Sequence, residues 1–414
     1  MSSSDFKKVL PYALVVFFGY VGFSMPLPIL PEMFLDPEIG ILPTSYSNQL
    51  KTFLLGLIMS AYPIGQLIGS PILGKCSDRW GRKKIILISL FGCLLGYVLT
   101  ALAAQAYSVP GIFMGLLFCG LCEGNIAIAQ SVVADLAAGP DGDKKKTIYF
   151  GWLNLFVCFA FIIGPILGGQ LSDSSLISWF TFSTPFWIAA AMTLIGMGII
   201  FYFSEETKVR SVQELALGYW KSFKEGMMQK SLSKMYLVNF FLALGYFSYF
   251  RFFPVYLQNT FNFSSSLLGY TIAYGSIAFA VAAFLFLGPI AKRMSPYKAV
   301  GLFSTFLAFS FLFVIVPAPS WSLLFTTIPA NICLAVVMTY ASVLVSNASS
   351  ASFQGQALGM LTSVQVMAEA LTGIGGGLLA GHFSSLPIII GAAMLVVASV
   401  FLFAFREKKV DHAP

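Results

Sequence analysis

The sequence predicts an all-α membrane protein of twelve transmembrane helices in two pseudo-symmetric six-helix bundles, and three observations carry that prediction. Of 414 residues, 57% are hydrophobic and only 10% charged, at a mean hydropathy of +0.83, a balance that places the chain in the membrane class. A hydrocarbon core takes about 20 apolar residues per helix. Runs of that kind recur at roughly 9–33, 52–74, 84–105, 109–133, 147–170, 183–204, 235–258, 266–290, 298–317, 321–346, 354–379 and 385–405. The third observation is the placement of basic residues. With the N-terminus inside, every one of the 24 Lys and Arg residues except Lys51 and Arg251 falls on one side, so both termini are expected in the cytoplasm. The net charge of +7 follows from that topology and gives no sign of nucleic-acid binding.

Taken in chain order, span 1 carries Pro26, Pro28 and Pro31 in Phe23–Pro31. Prolines bend a helix and strand carbonyls that neighbouring protein must satisfy. The segment is too long for a cleaved signal peptide and lacks a small-residue cleavage site, so it is expected to stay as helix 1. Between spans 2 and 3 stand Gly74-Lys75-Cys76-Ser77-Asp78-Arg79-Trp80-Gly81-Arg82-Lys83. Gly74 and Gly81 read as points of close packing and sharp turning, and Asp78 lies among Lys75, Arg79, Arg82, Lys83 and Lys84, which favour its charged form. A topology signal needs the basic residues alone, not an aspartate and two glycines at fixed spacing.

Span 4 contains Cys119-x-x-Cys122 in an apolar helix, a setting for small-residue packing and not for a redox pair. Span 5 runs from Gly151 to Gly164-Pro165-Ile166-Leu167-Gly168-Gly169. Residues without side chains let helices touch, and Pro165 frees a carbonyl one turn earlier and bends the helix. Trp179, Trp187 and Trp321 read as membrane-interface anchors.

The single long polar connection, with its amphipathic stretch Leu215–Met228, divides the chain into a bundle over 1–205, a cytoplasmic loop over 206–234 and a second bundle over 235–414. The halves echo each other. Gly288-Pro289-Ile290-Ala291-Lys292-Arg293 follows span 8 as Gly74–Arg79 follows span 2, and Gly373 and Gly377 repeat Gly164 and Gly168 at a similar offset. The second loop is degraded, with Lys292, Ser295 and Pro296 where Asp78, Gly81 and Arg82 stand in the first, which implies an asymmetric gate.

The pattern G-x-x-x-D-R-x-G-R-K resembles the loop between helices 2 and 3 of the major facilitator superfamily. The Gly-Pro core of span 5 resembles the signature of that superfamily's drug:proton antiporters, with Ala160 the one departure, and the prolines of span 1 resemble the outer end of helix 1 in the same branch. Tetracycline and multidrug efflux proteins are the relatives it is similar to. The resemblance implies the major facilitator fold, with Gly74, Asp78, Arg79, Gly81, Arg82 and Lys83 as a gate and Asp135 paired with Arg79 or Arg82. It assigns Gly151, Gly164, Pro165, Gly168 and Gly169 to helix packing. Exporters of this kind carry an arginine in helix 4 where Leu116 stands here. Glu123 lies seven residues on, about 20° off the same face and about 10 Å deeper.

Charges inside a membrane cost several kcal/mol unless paired or hydrated, so they mark function by default. This chain has Glu123 in span 4, Arg251 in span 7 and Glu369 in span 11. Glu123 has no basic partner among the spans of its own half, which suits a proton-coupling carboxylate, with a cavity-lining or structural role as the alternative. Arg251 and Glu369 lie at similar depth, and two readings stay open. They form a structural pair, or Arg251 faces an anionic group on a substrate while Glu369 takes part in coupling. In the resembling family helices 1, 4, 7 and 10 line the cavity, which implicates Tyr20, Asn125, Tyr249, Arg251, Asn331 and Tyr340, with Asn154 and Gln365 at the seam between halves.

The expected activity is secondary transport of a small organic solute by alternating access, as proton-coupled export or as proton-coupled uptake of an anionic metabolite or siderophore-like compound. The expected partners are substrate, protons and the bilayer of the cytoplasmic membrane; each chain is expected to hold a complete path, so a monomer suffices. No phosphate-binding loop, no catalytic or metal-type cluster and no sizeable soluble output domain is present in the sequence, which argues against an ATP-driven pump, an enzyme, a cofactor or a receptor.

Overall fold

The computed structural model describes residues 3–137, 142–206, 230–316, 319–350 and 353–405. The stretch Leu215–Met228, most of the central loop, and Arg406, Lys408 and Lys409 lie outside the described residues. Those described are overwhelmingly helical and include no strand. The helices are α1 (Ser3–Ser24), α2 (Pro26–Leu35), α3 (Asn48–Trp80), α4 (Arg82–Gln105), α5 (Val109–Cys122), α6 (Asn125–Leu136), α7 (Gly142–Leu171) and α8 (Thr184–Phe203). They continue with α9 (Lys230–Phe261), α10 (Ser265–Leu285), α11 (Leu287–Arg293), α12 (Pro296–Val314), α13 (Leu323–Ala348), α14 (Gln354–Ala380) and α15 (Leu386–Ala404). Among the described residues 12 spans are long and apolar enough to cross a membrane.

Two spans are broken helices. In the first, α1 ends at Ser24 and α2 starts at Pro26. Prolines 26 and 28 supply no N–H to the ladder, and the Ser24 hydroxyl bonds the carbonyls of Val21 (3.3 Å) and Ala160 (3.2 Å). In the fourth, α5 stops at Cys122 and α6 starts at Asn125, leaving Glu123 and Gly124 outside the regular helix. The sequence pattern shows this span as one continuous apolar run.

The chain divides into two compact units. The first holds residues 1–218 with 251–277 and 370–384, so that the second part of α9, the start of α10 and the end of α14 belong to the same unit as α1–α8. Its core has one cluster around Val21, Met25, Leu55, Tyr97 and Phe186 and another around Val16, Ile86, Val132 and Leu153. The second unit holds 219–250, 278–369 and 385–414. In it Tyr249 stacks on Phe311 with centroids 4.3 Å apart, and Ser304 and Ser399 share a 2.7 Å hydrogen bond.

Candidate functional site

The charged motif is mostly helix. α3 runs to Trp80 and takes Gly74, Asp78 and Arg79 with it, and the turn is made at Gly81, whose φ of +99° favours glycine. The sharp turn expected of these glycines falls at Gly81, and no close packing is found at Gly74. A Cβ at Gly81 would meet the Glu206 carboxylate at 2.7 Å, whereas one at Gly74 would meet nothing within 4 Å. Gly74 instead lends its carbonyl to the Ser77 hydroxyl.

Arg82, at the start of α4, brings the motif's charges together. Its Nε is 2.9 Å from Oδ2 of Asp135 at the end of α6, and its Nη2 is 3.6 Å from Oδ1 of Asp78. Lys83 does something the sequence did not suggest. Its ammonium donates to the carbonyls of Phe201 (2.8 Å) and Ser204 (2.6 Å) at the end of α8, where orphan carbonyls and the helix dipole favour a cation. In return Glu206 accepts from the backbone N–H groups of Lys83 and Lys84 at the start of α4. Arg79 extends over the ring of Trp80, 6.0 Å from its centroid.

At the break in span 4, Ser89 of α4 stands in for the missing helix. Its hydroxyl accepts from the N–H groups of Gly124 (3.1 Å) and Asn125 (2.9 Å) and donates to the carbonyl of Cys122. Ser70 donates to the Glu123 carbonyl at 2.6 Å. With both backbone ends satisfied, the Glu123 side chain turns inward and is 2% exposed. Its Oε2 takes a weak bond from the Cys93 thiol at 3.6 Å. Oε1 is buried with Tyr62 beside it but outside hydrogen-bond geometry. No Lys or Arg among the described residues pairs with this carboxylate within 4 Å.

Tyr62 also lines a small cleft with Tyr97, Phe23, Met59, Leu116 and Arg251. Arg251 is 5% exposed and its guanidinium lies 5.2 Å from the Phe23 ring centroid, in cation–π range. Leu116, at the position where the resembling exporters carry arginine, forms part of this apolar wall. Glu369 is also 5% exposed and lies near Tyr246 in the second unit.

The other cavity candidates divide. Tyr20 is half-buried against Phe161, at 5.6 Å between centroids, and Gln365 is half-buried. Several differ from an open cavity wall. Asn125 is 1% exposed as the first residue of α6, Tyr249 is stacked on Phe311, and Tyr340 gives its hydroxyl to the Leu287 carbonyl at 2.9 Å. Asn331 turns back on its own helix to the Thr327 carbonyl, 2.9 Å away, and Asn154 is exposed. Helical position alone does not tell a cavity side chain from one that satisfies a local carbonyl.

Three of the four glycines in the α7 motif make close contacts. A Cβ at Gly164 would meet Ser24 Oγ at 2.0 Å, one at Gly168 the Met25 carbonyl at 2.2 Å, and one at Gly169 the Ser265 carbonyl at 2.3 Å. Reciprocally, a Cβ at Gly269 of α10 would meet the Pro165 carbonyl at 2.3 Å. Gly151 faces open space, so its packing assignment is corrected, because it lies nearly four turns before the seam. A second seam joins Gly56 of α3 to Gly373 and Gly377 of α14, where Ser60 also donates to the Ala370 carbonyl at 2.8 Å.

Sequence reasoning missed the acidic residues at the end of the first unit that carries these seams. Ser265 N–H donates to Glu32 Oε2 at 2.6 Å and the Ser265 hydroxyl bonds the same oxygen. Ser266 donates to Asp173 Oδ2 at 2.8 Å. Asp173 also accepts from Ser175, and these bonds, those from Ser175 first, hold its carboxyl below the usual aspartate range.

The family model of the Major Facilitator Superfamily matches residues 12–318 and 235–414. The chain belongs to that superfamily, and it is a multi-pass membrane transporter and not an enzyme. It is 26% identical to the class E tetracycline resistance protein of Escherichia coli over 98% of this chain and 97% of that one. It is 24% identical to multidrug resistance protein 2 of Bacillus subtilis (strain 168) over 69% and 67% of the two chains. In fold it is similar to the solved structure of a D-xylose-proton symporter, at a TM-score of 0.77 and 16% identity, covering 97% of each chain.

Proposed function

We propose that this protein exports a small organic solute across the cytoplasmic membrane in exchange for protons, with Glu123 as the coupling carboxylate. One observation carries the reading. A glutamate 2% exposed sits at a helix break with its backbone satisfied, and no cation lies within pairing distance among the described residues. A buried acid in that position gains from carrying a proton and loses it when hydrated, which is the requirement for coupling. In this reading the bundles over 1–205 and 235–414 rock about a central site, both termini face the cytoplasm, and a single chain suffices. The names of the resistance relatives support export and drug-like substrates.

The test is transport by inverted vesicles across a substrate panel that includes tetracyclines. An acidified lumen should drive uptake in wild type and not in Glu123→Gln. A chain whose Glu123→Gln form keeps full pH-driven transport would overturn the assignment. Arg251 in the wall of the cleft favours a second reading, in which the solute carries an anionic group and protons bring it inward. Uptake that right-side-out vesicles drive from an acidic exterior would support it, with loss in Arg251→Ala.

A further inference from the structure

The two carboxylates at the start of α10 form a contact that neither export nor Glu123 requires. Glu32 reaches from α2 and puts one oxygen on both the N–H and the hydroxyl of Ser265, the first residue of α10. That placement sets a negative charge against a helix N-terminus, where orphan N–H groups and the dipole both favour it. Asp173, from the segment after α7, holds the adjacent Ser266, whose hydroxyl also reaches the Gly169 carbonyl at 3.2 Å. Behind these bonds α7 and α10 meet backbone to backbone at Gly169 and Gly269. The first turn of α10 is thus clamped by two acids over a seam with no side-chain padding. The charged groups bearing on Glu32 are Asp36 and Asp173, both acidic, and no Lys or Arg among the described residues lies within 4 Å. Three carboxylates gather here, and the segment following α2 is on the side of the chain that the basic residues mark as external.

We infer that Glu32 is a proton-released latch of the outer gate. Ionised, it pins the first turn of α10 to α2. On taking a proton from external water it keeps an acceptor oxygen but loses its charge, so the pin weakens and α10 can part from α2 and α7. The outer face then opens where protons are in supply. This stands apart from the assignment of Glu123.

The test uses the full chain in intact cells or oriented proteoliposomes. Leu268 is 0% exposed in the first turn of α10, so a Leu268→Cys thiol is reachable only when that turn detaches. Its labelling by a membrane-impermeant maleimide is divided by that of Ser320→Cys, an exposed residue distant in sequence, to remove the intrinsic pH dependence of the reagent, with wild type as the blank. Between external pH of about 8 and about 5.5 the ratio should rise about tenfold, the size of losing one charge-assisted hydrogen bond. Glu32→Gln should give the high ratio at both pH values, and Ser265→Ala should raise it at the higher pH. A flat ratio in the chain carrying Glu32, or a rise that persists in Glu32→Gln, overturns the latch. Should Glu32→Gln fail to fold, the Ser265→Ala result decides, and an unchanged ratio there also overturns it.

Discussion

Arg82 and Asp135 meet across two helices, Nε to Oδ2 at 2.9 Å, and Asp78 approaches the same guanidinium at 3.6 Å. The pair ties the start of α4 to the end of α6 and leaves Asp78 as a second, looser partner one turn earlier. Because Asp135 is about two-fifths exposed, the bond is weak in isolation. Asp135→Asn should therefore slow transport only about two- to fivefold, the equivalent of up to ~1 kcal/mol in the step it biases. Initial rates in vesicles check this, and added salt should narrow the gap between the two proteins.

Lys83 belongs to another part of the motif. It caps α8 while Glu206 caps α4, so the two termini hold each other. Lys83→Met should lower thermal stability in detergent, with an effect of about 1–2 kcal/mol for the lost charge-assisted bonds. Glu206→Gln, which keeps acceptor oxygen at the α4 start, should be milder.

Ser89 holds the break beneath Glu123. Ser89→Ala removes the acceptor for the N–H groups of Gly124 and Asn125. A buried donor left unmatched costs about 1–3 kcal/mol, so the apparent Tm should fall. Ser89→Thr, which retains the hydroxyl, should recover part of the loss.

The glycines of α7 can be ranked. Gly168→Ala and Gly169→Ala each force a methyl group against backbone oxygen, at 2.2 and 2.3 Å, and should abolish or severely reduce transport. Gly151→Ala meets open space and replaces the weaker helix former, so it should preserve transport and stabilise by up to about 1 kcal/mol. Parallel transport rates and melting curves of the three variants check the ranking.

Asp173 sets a boundary on acid effects at the outer seam. Its carboxyl is depressed by the Ser175 bonds and then by Ser266, so the stability it adds is fully present above the ordinary aspartate range and is lost only as pH falls through its lower native value. Over the range of about pH 5.5 to 8 it stays ionised and supplies no slope. Asp173→Asn should therefore raise the Leu268→Cys labelling ratio at the higher pH, and the rise with acid should persist because Glu32 is still there to take the proton.

Much of this was legible because a bilayer imposes a long-range rule that a sequence cannot hide. Twenty apolar residues declare a span, and twelve such runs in the sequence are matched by twelve apolar helices among the described residues. The resemblance implied that Asp135 pairs with Arg79 or Arg82, and the structure selects Arg82. Breaks inside apolar runs could not, because Glu123-Gly124 ends a helix only where Ser89, distant in sequence, offers the substitute bonds. Gly74 and Gly151 show the converse. A glycine pattern names candidates for close approach, but whether another helix arrives depends on tertiary placement. Glu32 and Asp173 had no signal at all, being single acids near span ends whose partners, Ser265 and Ser266, come from another span.

The most direct test measures proton movement in proteoliposomes holding an internal pH dye, with transported solute added against no imposed gradient. Solute moving one way should drive protons the other in wild type, and Glu123→Gln proteoliposomes preloaded with solute should still exchange it for external solute while proton flux disappears. Proton flux that survives in Glu123→Gln, at the wild-type ratio to solute, would contradict the central claim.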